Sequence, residues 1–164
     1  MRFLLISLIS FPLWAADNSV DIDLKGNSSI YIDQIGSGNT AQVWCGLSNG
    51  TYATHNCSNA TIDIDQNGEG NLAKAYSQYT NHTGNEYTIE QTGDNNVGYI
   101  DADEDDNELT ITQTGDDMQG EIFMSGNDNV YTISQSGTGD HYSKFYAFGD
   151  DSAWTATQSG SGNH

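Results

Sequence analysis

The chain has 164 residues, and 23 acidic against 4 basic side chains leave a formal charge of -19. Such a polyanion repels nucleic acid, which excludes that class of partner. The length fits one domain, and 18 glycines with a single proline exclude a proline-rich linker while leaving long backbone ladders possible.

Residues 1–15 read as a secretory signal peptide. Met1 and Arg2 precede the apolar run "FLLISLISF", and small residues mark a cleavage site after Ala15 or Ala16. The apolar run falls short of the roughly 20 residues needed to cross a membrane, so no membrane insertion is expected. The reading implies an exported, extracellular protein whose body is residues 16–164.

A degenerate half-unit comes next, "VDIDLKGN" from Val20, with Leu24 in the place that glutamine takes later. It is predicted to be a capping first strand. Six aligned blocks follow, from Ile30, Ile62, Tyr87, Leu109, Tyr131 and Trp154, each an alternating strand ending in Gln-x-Gly. The glutamines are Gln34, Gln66, Gln91, Gln113, Gln135 and Gln158, at steps of 32, 25, 22, 22 and 23 residues. The glycines Gly36, Gly68, Gly93, Gly115, Gly137 and Gly160 are predicted to form the tight turn.

A second short strand follows each turn, with Ala41, Ala73, Gly98, Gly120 and Ser143 opening its inward face. The pattern predicts an all-β protein, a β-solenoid of stacked strand-turn-strand units of about 22 residues. The long first step contains Cys45 and Cys57, which predict a disulfide closing a surface loop at 45–57, as an exported chain permits.

Period two places each glutamine on the same face as the isoleucines before it. A buried amide is tolerated there when an identical amide lies one level above and below, as in the Asn/Gln ladders of cross-β assemblies. Asn85, Asn107 and Asn129, six residues before their glutamines, predict a second ladder. Asn39, Asn71, Asn96, Met118, Asp140 and Asn163, five residues after, predict a looser third column.

The repeat resembles the curlin repeat of bacterial curli, whose unit is Ser, five residues, Gln, one, Gly, two, Asn, one, Ala, three, Gln. Ser28, Gln34, Gly36, Asn39 and Ala41 match it, as do Gln66, Gly68, Asn71 and Ala73. The second glutamine of the family is replaced by Cys45, Ser77, Ala102 and Met124. The resemblance implies a subunit of an extracellular functional amyloid that assembles with itself end to end into fibres for biofilm or cell adhesion. It also implies a nucleator subunit and an outer-membrane secretion channel as partners, with no cofactor.

Two other readings arise. Thr88, Thr110, Thr132 and Thr155, with Thr112, Ser134 and Thr157 beside them, suggest an outward Thr array of the kind ice-binding or surface-binding solenoids carry, interrupted by Asp33, Asp65 and Glu90. The run Asp101 to Glu108 holds D-x-D-x-D but lacks the glycine and terminal Glu of an EF-hand loop, and is read as a solvated turn rather than a metal site. No enzyme is expected, since His55, His82, His141 and His164 fall at unrelated phases and no nucleophile-base pair is evident.

Overall fold

Residues 6–8, 17–45, 57–77 and 81–162 are described by a computed structural model of the chain. The described residues are all β, and every strand pairing is parallel. The first sheet stacks β1 (Ile6–Leu8), β3 (Ser29–Ser37), β6 (Thr61–Glu69), β9 (Glu86–Thr92), β11 (Glu108–Asp116), β13 (Val130–Thr138) and β15 (Ala153–Ser161) in that order. The second stacks β2 (Ser19–Leu24), β4 (Thr40–Cys45), β7 (Leu72–Ser77), β10 (Val97–Asp103), β12 (Met124–Ser125) and β14 (Ala147–Phe148). A minor pair, β5 (Cys57–Ser58) and β8 (His82–Thr83), continues the stack at one side.

A rung of the solenoid is therefore one strand of the first sheet followed by one of the second, with consecutive rungs about one strand spacing, ~4.8 Å, apart. Register is kept throughout: Ile30 pairs Ile62, Ile64 pairs Ile89, and Ile111 pairs Ile133. Alternation does the folding here. In β11 the inward Leu109 and Ile111 are fully buried while Glu108 and Thr114 face water, so one face of each strand closes the core. The isoleucines of the first sheet meet small residues of the second, the space at Gly98 being limited by Ile89 and Gln91.

Three local expectations are corrected. The half-unit β2 is a second strand, not a first: it pairs β4 with Leu24 opposite Cys45, and Asn18 occupies the Asn column before it. Both strand types alternate alike, so only the pairing tells them apart. The run from Asp101 is a turn only in part: β10 extends to Asp103, with Asp101 6% exposed, and the chain bends between rungs at 104–106. The third column takes His141 rather than the exposed Asp140, because the inserted residue falls before it, and the His141 carbonyl accepts from Gln119 N as the Asn71 carbonyl accepts from Thr40 N.

Of the segment read as a signal, Ile6–Leu8 pairs in parallel with Ile30–Ile32 along the outer edge of β3. The interior of the 45–57 loop, residues 46–56, and Asn163 lie outside the described residues. Cys45 and Cys57 themselves are joined as a disulfide, with Cα atoms 5.4 Å apart.

Candidate functional site

The six glutamines stand in one column inside the solenoid. Gln34 Nε2 donates to Gln66 Oε1 at 2.8 Å, and the same bond recurs from Gln66 to Gln91, Gln91 to Gln113, Gln113 to Gln135 and Gln135 to Gln158, at 2.8 to 2.9 Å. The second amide proton of each also has a partner. It goes to a carbonyl of the preceding rung's second strand: Ser19 from Gln34, Thr40 from Gln66, Leu72 from Gln91, Val97 from Gln113, Gln119 from Gln135 and Tyr142 from Gln158. Each amide therefore ties the two sheets together as well as the rungs, and these bonds offset the cost of burying Gln66, Gln91, Gln113 and Gln135, which are about 1% exposed.

The asparagines run the opposite way. Asn107 Nδ2 donates back to Asn85 Oδ1 and Asn129 Nδ2 to Asn107 Oδ1, both at 3.1 Å, while each Oδ1 also takes the backbone N–H of the next rung. Ser152 N extends this to Asn129. The third column is as regular as the second over its first rungs: Asn39, Asn71 and Asn96 each accept from the backbone of the next rung and donate to the carbonyl of its glycine. The Asn side chains thus hold the glycine corner.

That corner differs from a plain turn. Gly36, Gly68, Gly115, Gly137 and Gly160 lie within their strands and stay in the ladder, whereas Gly93 follows β9. All have positive φ, between 104° and 138°. A side chain is excluded by the neighbouring rung as well: a Cβ on Gly36 would lie 2.0 Å from the Gly68 carbonyl oxygen.

Sequence reasoning missed the surroundings of the disulfide. β8 pairs β5 and brings the buried His82 to it, with Nε2 3.5 Å from Cys45 Sγ and Nδ1 3.1 Å from Ser77 Oγ. The three ligand-type atoms of Cys45, Cys57 and His82 lie within 4.8 Å of one another, but both sulfurs are committed to the disulfide. No spacing rule announces this contact, since 25 residues separate the paired Cys57 and His82.

Like charges stack on the outer face. Asp33, Asp65 and Glu90 are register partners and line a shallow cleft with Ile35 and Asn67. Partial burial first, then Asp63, Asp33 and Glu90, raise the Asp65 carboxyl above the ordinary range. The effect is larger at Asp101: burial, then Asp103, push its carboxyl up to about 6, and Tyr99 Oη donates to Oδ2 while Oδ1 has no hydrogen-bond partner.

A folded-state value above the unfolded one means that the folded chain binds the extra proton. This contribution therefore favours folding below about pH 4 and is lost as pH rises through about 6. Monomer stability is expected to fall by about 1–3 kcal/mol between pH 4.5 and 7 from this group, and Asp101→Asn to flatten that slope in denaturant titrations. An unchanged slope would assign it elsewhere.

On the opposite half of the first sheet, Thr88, Thr110, Thr132 and Thr155 form one outward column. Thr112, Ser134 and Thr157 form the next, which continues into Glu90, Asp65 and Asp33.

The geometry defines a class: a parallel two-sheet β-solenoid with a glutamine in register on each of six successive rungs. The family model described as the curlin associated repeat matches residues 83–115, so this stretch, from β8 to the glycine corner of β11, is curlin-repeat sequence. The other rungs share its register, which supports the resemblance to that family along the solenoid. Comparison with curated proteins and with solved structures returned no match.

Proposed function

We propose that the chain is a secreted structural protein, a curli-like functional amyloid subunit that adds to copies of itself end to end, forming extracellular fibres for biofilm or cell adhesion. One observation carries the reading: both sheets are wholly parallel and in register, so the outer strand β15 offers the edge and the glutamine that every internal rung offers to its neighbour. Unpaired strand edges of this kind template further strands. The resemblance adds two partner proposals, a nucleator subunit that starts growth and an outer-membrane channel that exports the chain after its signal is removed.

Protein lacking residues 1–15, incubated at neutral pH, is expected to form fibres with a thioflavin response and a diffraction spacing of about 4.7–4.8 Å along the axis. A chain that stays monomeric at high concentration would sink the proposal. Stacked copies align like charges, so moderate salt or pH 5 should shorten the lag. Identical lag times would make the acidic surface a solubility device only.

The aligned Thr column favours one second reading, a monomeric module binding ice or another flat surface. Thermal hysteresis of the monomer, absent from a Thr110→Lys variant, would support it.

A further inference from the structure

The two ends of the solenoid are complementary halves. At one end, β2 is a second strand whose inward Val20 and Ile22 are 40% and 37% exposed. At the other, β15 is a first strand without a second-sheet strand beside it among the described residues, and its inward Trp154 is 58% exposed where Tyr131 and Leu109 are buried. Ile6–Leu8 fills the first-sheet place level with β2, so with that segment removed each end carries half a rung among the described residues, and the missing half is the kind the other end supplies.

From this juxtaposition we propose that successive subunits meet in a lap joint: β15 of one copy and β2 of the next together make a single shared rung. The inference rests on the fibre reading above and specifies its interface.

Continuing the observed registers places β15 against β3 of the next copy with Gln158 beside Gln34, and residues 142–148 against β2 with Tyr142 beside Ser19 and Lys144 beside Asp21. Gln158 Nε2 uses one proton on the Tyr142 carbonyl and has a second to give, and Gln34 Oε1 occupies the position that accepts in every later rung. The ladder thus crosses the joint unbroken. Lys144, already 3.4 Å from Glu121, gains a second carboxylate in a chain with only 4 basic side chains.

Side-chain volume points the same way. In the intact rungs Ile32, Ile64, Ile89, Ile111 and Ile133 oppose Ala41, Ala73, Gly98, Gly120 and Ser143, a large residue against a small one; the Cβ positions at Gly98 and Gly120 lie 3.0 and 3.2 Å from the isoleucine methyls. Across the joint the sizes exchange: Ala156 takes the isoleucine place, and Val20 the small one. Sharing one rung, the smaller Ala156 and the larger Val20 offset each other at nearly constant volume. The edge of β3 is held here by Ile6–Leu8, so the joint forms only when that segment has left it.

The test uses the chain without residues 1–15, since Ile6–Leu8 pairs only three residues at one edge and all the ladders lie between 17 and 162. Fibres are grown from wild type, Ala156→Ile, Val20→Ala and the double variant, and the soluble concentration left at plateau is measured. Both sites are open in the monomer, whose circular dichroism should not change.

Ala156→Ile should raise the residual concentration about tenfold, the effect of added methylenes in a closed site, and Val20→Ala by a few-fold. The double variant should return to within about twofold of wild type. Additive losses, or single variants without effect, overturn the lap joint while leaving fibre formation intact. No fibres from wild type would overturn both.

Discussion

Replacing Gly115 with alanine is expected to cost about 3–5 kcal/mol of monomer stability, the sum of left-handed backbone strain and of overpacking against fixed backbone. The residue has a φ of 134°, and its new Cβ would lie 1.8 Å from the Gly137 carbonyl oxygen and 2.6 Å from Met118 Cε. The methionine end can swing aside. The carbonyl cannot, because Gly137 is locked in register with both Gly115 and Gly160. Gly162 is the control: its φ is 113° but nothing lies within 4 Å, so Gly162→Ala carries the backbone term alone, about 1–2 kcal/mol. Denaturant midpoints separate the two. Equal losses would mean that the corner is set by φ preference and not by the approach of the next rung.

Gln113→Ala should destabilise the monomer by about 3–4 kcal/mol, because it opens a cavity and takes one hydrogen bond from each of three buried groups. Gln91 Nε2 loses its acceptor, Gln135 Oε1 its donor, and the Val97 carbonyl its cross-sheet bond. Gln158→Ala interrupts the outermost rung, where solvent substitutes, and should cost about 1 kcal/mol or less. Gln113→Glu sharpens the test, since a buried carboxylate repels the Val97 carbonyl and Gln135 Oε1 it faces. Its deficit should shrink as pH falls and the carboxyl takes up the donor proton. Similar losses at positions 113 and 158 would show that the amides are individually solvated and form no ladder.

Much of this arrangement is legible in the sequence because a period-2 strand and a recurring Gln-x-Gly leave little freedom. Once Gln91, Gln113 and Gln135 are aligned, the inward face, the stacking and the all-β solenoid follow from the cost of burying an isolated amide. The Asn85–Asn107–Asn129 column is legible for the same reason. What distinguishes Asn39, Asn71 and Asn96 is not: their Nδ2 groups hold glycine carbonyls of the next rung, a contact about one turn of chain away.

Composition and spacing by themselves determined the repeat unit, its inward glutamines and the curlin resemblance, since these depend only on which residues recur at which phase. Tertiary structure alone decided that β2 belongs to the second sheet, that Asp101 is buried, that His141 displaces Asp140, and that His82 reaches the Cys45–Cys57 disulfide. The physical reason is common to all four. Alternation fixes the face of a strand but not its partner, and partner choice follows from burial and hydrogen bonding summed over rungs far apart in the chain.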